Sequence, residues 1–277
     1  MSNEHAERAG SLAVGFLGVG QMGRPMVDRL AATGWAPSVY VRRPDLAVEL
    51  RGANVAVAES AAALAAAVDV LVVCFFSDAQ FREVMLDDGA LAAMRPGAIV
   101  ATHTTGSPDL VLELADRAPD GVRIVDAPVS GTAVDIAAGH LTVLVGGDRA
   151  DVERVRPVLA AYADPIIEVG ALGDAMRVKL VNNLLFTVNL RIALEAGNLA
   201  QSLGVAPSDL ARALAHCSGD TYALRLLSTG ASPEQLEAGV LPYLAKDVSV
   251  VREVGAGMGA DLGLLGELAG WVDRPEA

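Results

Sequence analysis

Gly18-Val19-Gly20-Gln21-Met22-Gly23 is the stretch on which the reading of the fold turns. An apolar run, Leu12–Leu17, leads into it, and a stretch with helical spacing, Met22–Thr33, leaves it and is stopped by Gly34. Between a strand and a helix, three glycines at this spacing each have a task. Gly18 permits the tight turn, Gly20 lets a pyrophosphate approach the backbone, and Gly23 lets the helix pack close to the strand. The phosphates of a dinucleotide would lie on free amides at the positive end of the helix dipole, with Gln21 and Met22 in the same loop.

Outward from this loop, β-rich runs alternate with helical ones. Ser38–Val41 reads as a strand, Ala61–Ala67 as a helix, and Val70–Phe76 as a strand buried on both faces. Ala98–Thr102 follows Pro96-Gly97, Ser107-Pro108-Asp109 starts a helix, and Val122–Val125 is a further strand. Such alternation predicts a parallel sheet with helices on both faces. After Asp126, Leu141–Val145 and Ile166–Val169 flank a helix near Ala150–Tyr162. From Gly173 to Leu203 the spacing predicts one proline-free helix of about 45 Å. Helix starts follow at Pro207-Ser208-Asp209 and Ser232-Pro233-Glu234, and Leu244–Gly255 and Leu262–Trp271 read as two more helices. The predicted fold is α/β. A disordered start (1–10) precedes a Rossmann-type dinucleotide-binding domain (11–172), and a long interdomain helix opens an all-helical substrate and dimerisation domain (173–277).

With 277 residues, 52% of them hydrophobic, the chain can bury a sizeable core. A net charge of −13 argues against nucleic acid or an anionic membrane surface as a partner. No apolar run reaches membrane-spanning length, and Met1–Gly10 lacks an apolar signal core, so a cytoplasmic location is expected. Cys74 and Cys217 lack metal-ligand spacing and are expected as reduced, buried thiols. No metal site is predicted. At the end of the second strand stand Arg42 and Arg43. Two guanidiniums there suit the 2′-phosphate of NADP, where an acid would suit NAD. Asp45 follows closely, which leaves NAD possible.

Four segments resemble the β-hydroxyacid dehydrogenases, which include 3-hydroxyisobutyrate dehydrogenase and tartronate semialdehyde reductase. They are GVGQMGRPM at Gly18–Met26, Asp126-Ala127-Pro128-Val129-Ser130-Gly131, the Gly170–Asn183 stretch with Lys179 and Asn183, and Lys246-Asp247. Order and spacing match over nearly the whole chain. The resemblance implies that Lys179 is the catalytic acid/base, that Asn183 orients the substrate, and that Ser130 and Gly131 bind its carboxylate. It implies further that Thr105 lies beside nicotinamide and substrate, that Lys246 lines the closed cleft against both, and that Phe75 and Phe76 border the cofactor path. Thr132 stands where the family has a second glycine, and there it narrows the substrate pocket or adds a hydroxyl.

The chemistry agrees with these roles. Hydride delivery to a carbonyl builds negative charge on its oxygen, and a donor must stabilise that charge and supply a proton. A lysine on a rigid helix can do both. The expected activity is NADP-dependent interconversion of a small 3-hydroxy acid and its semialdehyde or keto acid, by a homodimer. The alternatives are an imine reductase or other carbonyl reductase on the same scaffold, and an NADP-binding protein without turnover.

Overall fold

Val14–Leu17 (β1) is buried at every residue, as befits a strand covered on both faces. In this computed structural model the described residues are 12–53, 55–229 and 233–273; the polar start and Ser232 lie outside them. The chain forms two compact units, the first ending at Lys179 and the second beginning at Leu180.

In the first unit β1 is followed by α1 (Gly23–Ala32), β2 (Ser38–Tyr40), α2 (Pro44–Gly52), β3 (Ala56–Val57), α3 (Ala61–Ala67) and β4 (Val70–Val73). Then come α4 (Asp78–Arg82), which runs into a π-helical turn at Glu83–Asp87, β5 (Ile99–Thr102), α5 (Pro108–Arg117) and β6 (Arg123–Asp126). The unit closes with β7 (Val129–Ser130), α6 (Ala133–Ala138), β8 (Leu141–Gly146), α7 (Arg149–Leu159) and β9 (Ala163–Gly170). The sheet order is β3-β2-β1-β4-β5-β6-β8-β7, with β9 beside β8. From β3 to β6 every pairing is parallel. β8 then runs antiparallel to both β6 and β7, so the sheet is parallel-dominated and reverses at one end.

Strand alternation sets the two cores. Val70 and Val72 face one cluster with Phe16, Met26 and Leu30, while Leu71 and Val73 face another with Leu64, Phe81 and Leu114. Register aligns the strand ends. Leu17 pairs with Val73, Val73 with Thr102, and Thr102 with Asp126, so the loops after β1, β4, β5 and β6 leave the same edge of the sheet. That edge, outside the carboxyl ends of parallel strands, is where α/β sheets bind ligands.

Three expectations change. The predicted strand Val70–Phe76 stops at Val73, because the Phe75 N–H turns to the Thr104 hydroxyl (2.9 Å) instead of a strand neighbour. The two helices expected between Ser232 and Gly255 are one, α11 (Pro233–Met258), which runs through an exposed Pro242. Cys217 is exposed and Cys74 half-buried, where two buried thiols were expected; burial pushes the Cys74 thiol up to about 12.

The long helix α8 spans Asp174–Ser202 and is followed by α9 (Pro207–Leu214), α10 (Tyr222–Arg225), α11 and α12 (Gly263–Ala269). In the second unit Leu184, Leu194, Leu224, Leu244 and Val248 build the core, and the Trp271 indole N–H donates to the Thr187 carbonyl at 3.2 Å. Val181, Leu185, Ile192 and Leu199 are exposed along one stripe of α8.

Candidate active site

The loop after β1 is shaped by what its glycines exclude. Gly18 has φ +93°, and a Cβ there would stand 2.1 Å from the Cys74 carbonyl oxygen. A Cβ on Gly23 would stand 2.0 Å from the Gly18 carbonyl oxygen. Above Gly20, in contrast, nothing lies within 4 Å of such an atom. The N-cap of α1, Met22, supplies no side-chain hydrogen bond to the first turn. Open space beside Gly20 and amides without a side-chain cap fit a pyrophosphate. Gln21 is exposed and Met22 half-buried in the same loop.

Arg42 and Arg43 leave the end of β2 exposed. Arg42 Nη1 lies 3.3 Å from Glu83 Oε1 on the π-helical turn, and Arg43 Nη2 lies 2.9 Å from Asp45 Oδ2. Both guanidiniums therefore already face carboxylates. The loops after β4 and β5 are tied together. Phe75 stacks edge-on against Phe81 at 6.3 Å, Phe76 is exposed, and Ser107 N–H donates to Asp78 Oδ2 at 2.9 Å. Thr105 lies half-buried between Thr104 and Gly106. Beneath them His103 is buried, with Nδ1 donating to the Ala127 carbonyl (2.5 Å) and Nε2 accepting from the Tyr162 hydroxyl (2.8 Å). Burial holds its pKa down at about 4, so it is a neutral structural group.

Asp126, at the end of β6, is fully buried. Its Oδ1 accepts from Gly173 N–H (2.9 Å) and its Oδ2 from Met176 N–H (2.8 Å), which docks the first turn of α8. Desolvation raises its pKa and these two hydrogen bonds oppose the rise. The next segment places Ser130 at the end of β7, Gly131 with φ +138°, and Thr132 as N-cap of α6. Thr132 N–H and Oγ1–H both donate to Asp135 Oδ2, at 2.6 and 2.7 Å. A capping box thus consumes the hydroxyl that replaces the family's second glycine.

Lys179 and Asn183 are 8% and 7% exposed and stand one helical turn apart on α8. In the second unit Asn183 accepts from Asn182 Nδ2 (3.1 Å) and donates from its own Nδ2 to Asp247 Oδ2 (2.7 Å). Lys246 Nζ lies 3.0 Å from Asp247 Oδ1. The first unit therefore holds the glycine loop, Arg42, Arg43, Phe75, Phe76, Thr105, Ser130–Thr132 and Lys179, and the second holds Asn183 and Lys246. Sequence reasoning gave no role to Glu83, Asp126, Asp135 or Asp247. Of these, only Asp135 had a local signal, a carboxylate three residues after Thr132. Among the described residues no His, Cys, Asp or Glu cluster can hold a metal, and no helix is long and apolar enough to cross a membrane.

Residues 13–172 match the profile described as the NAD binding domain of 6-phosphogluconate dehydrogenase. Residues 173–274 match the one described as NAD-binding of NADP-dependent 3-hydroxyisobutyrate dehydrogenase. The chain belongs to the β-hydroxyacid dehydrogenase family. Membership makes it an NAD(P)-dependent oxidoreductase that acts on a CH–OH group of a small molecule. A family relative, 2-(hydroxymethyl)glutarate dehydrogenase of Eubacterium barkeri, is 35% identical over 77% of this chain and 72% of its own. A solved structure of Mycobacterium tuberculosis 3-hydroxyisobutyrate dehydrogenase with L-serine superposes with a TM-score of 0.82 at 29% identity, over 95% of this chain and 92% of that one. An imine reductase from Pseudomonas sp. superposes at 0.68 with 21% identity, over 95% and 92%, and shares the fold alone.

Proposed function

We propose that this dehydrogenase interconverts a small 3-hydroxy acid and its semialdehyde or keto acid, with NADP as the preferred cofactor and Lys179 as the acid/base. One observation carries the reading. Lysine is among the residues least often buried, and Lys179 is 8% exposed, one helical turn from the equally buried Asn183 in the stretch that matches the family's motif.

When bound, the nicotinamide dinucleotide supplies or accepts the hydride. Uncapped amides of the Gly18–Gly23 loop and α1 hold its pyrophosphate. Arg42 and Arg43, which face Glu83 and Asp45, would hold the 2′-phosphate. Phe75, Phe76 and Thr105 would border the nicotinamide. Ser130 and Gly131 take the substrate carboxylate, and Thr132 closes that segment. In reduction, the Lys179 ammonium donates to the carbonyl oxygen and passes it a proton; in oxidation, the amine takes the hydroxyl proton. Asn183, held by Asp247, orients the substrate oxygen, and Lys246 lines the site beside it.

The exposed apolar stripe of Val181, Leu185, Ile192 and Leu199 on α8 favours a homodimer, since a single chain leaves it in water. Sedimentation of the purified chain checks this. The acid/base reading is tested by Lys179→Ala. Turnover of 3-hydroxyisobutyrate, read by NADPH absorbance, is expected to fall by ~10³-fold or more while NADPH affinity stays within a few-fold. Largely surviving turnover removes Lys179 from the mechanism.

A further inference from the structure

The segment Ser130-Gly131-Thr132 carries a negative charge of its own. Asp135 Oδ2 accepts both the N–H and the hydroxyl hydrogen of Thr132. The same oxygen would lie 3.1 Å from a Cβ on Gly131, so the carboxylate rests against the Gly131 backbone. The Thr132 hydrogen bonds hold its pKa below the usual carboxylate range, and it stays ionised throughout the neutral range. Among the described residues no lysine or arginine forms an ion pair with it, and its hydrogen-bond donors are those of Thr132.

An anion so placed treats two kinds of hydroxy acid differently. A plain hydroxy acid brings only a carboxylate to Ser130 and Gly131, where it meets a fixed like charge and finds the Thr132 donors engaged. A hydroxy acid with an ammonium group beside its carboxylate brings a positive charge to the same place, and Asp135 Oδ1 is aimed at no Thr132 donor. We infer that Asp135 is a specificity-determining residue that biases this site toward 3-hydroxy acids bearing a 2-ammonium group over unsubstituted ones. The inference rests on the reading of Ser130–Thr132 as the substrate-carboxylate segment.

L-Serine and 3-hydroxypropionate are suitable probes because they differ only in the ammonium group. Initial rates with the purified full chain, both NADP⁺ and NAD⁺ being supplied, give kcat/KM for each. Asp135→Asn keeps an oxygen for the Thr132 cap and removes the charge. The expected result is a fall of roughly fivefold for L-serine and a rise of roughly fivefold for 3-hydroxypropionate, mostly in KM, as suits one partly solvated charge pair. Loss of a merely structural cap would move both substrates the same way, so equal shifts, or none, overturn the inference. A wild-type protein that oxidises 3-hydroxypropionate but not L-serine overturns it as well. Ser130→Ala separates the two failures. If it raises KM for both probes while Asp135→Asn leaves their ratio unchanged, the inference alone falls. If it leaves both KM values unchanged, the segment reading falls and takes the inference with it.

Discussion

The Met176 N–H donates to Asp126 Oδ2 at 2.8 Å, three residues ahead of Lys179 on the same helix. The last residue of β6 thereby sets where α8 begins, and the depth of Asp126 in the core makes that anchor stiff. Asp126→Ala leaves the Gly173 and Met176 amides buried without their acceptor. The expected cost is about 2–4 kcal/mol of stability, or roughly 5–10 °C in a thermal melt. Kinetics add a second readout: kcat is expected to fall further than NADPH affinity, because the glycine loop is untouched.

Asp247 serves two neighbours, so its variants separate by kind. Asp247→Asn keeps an acceptor for Asn183 but removes the charge facing Lys246, whereas Asp247→Ala removes both. Steady-state rates are expected to fall about tenfold further in the alanine variant than in the asparagine variant. Equal losses would place the whole effect in the Lys246 contact.

The Arg42–Glu83 pair tests the cofactor preference. Both side chains are about half exposed, and pairs of this kind are worth about 0–1 kcal/mol, so a phosphate can displace Glu83. Glu83→Gln is expected to lower KM for NADPH by about two- to fivefold and to leave NADH unchanged. Replacing Arg42 and Arg43 with alanine is expected to raise KM for NADPH by at least tenfold, again without effect on NADH. Parallel changes with both cofactors would argue against a 2′-phosphate contact.

His103 gives the fold a pH limit. Its pKa is held down at about 4, against about 6.5 in an unfolded chain. The unfolded chain therefore takes up a proton first as pH falls. The stability contributed by the neutral ring is complete above pH 6.5 and is lost as pH drops toward 4. At pH 5 the loss is about 2 kcal/mol. Melting temperatures from pH 7.5 to 4.5 are expected to show it, and His103→Gln is expected to flatten that part of the curve.

Much of the fold was legible because it is written locally. The glycine loop, the buried runs of β1 and β4, and the Ser107-Pro108 helix start are all patterns within a few residues. The long helix was read to within a residue at each end, since no proline or capping glycine interrupts it. The reversal at β8 was not legible, because strand direction depends on pairing partners and not on composition. Two helices were expected between Ser232 and Gly255, yet one helix continues through Pro242 on an exposed side, where solvent can satisfy the freed carbonyl. At the candidate site, Lys179 and Asn183 were legible through the match of their stretch to the family's motif. Their supports were not, because Asp126–Met176 and Asn183–Asp247 join residues 50 and 64 positions apart.

Arg42 and Arg43 hang in water beyond the end of β2, outside both packed layers of the first unit. Nothing in the core leans on either side chain, so exchanging them leaves folding untouched. On the cofactor reading above, selection can retune this enzyme between the biosynthetic and catabolic nicotinamide pools by surface changes alone, without intermediates too unstable to survive.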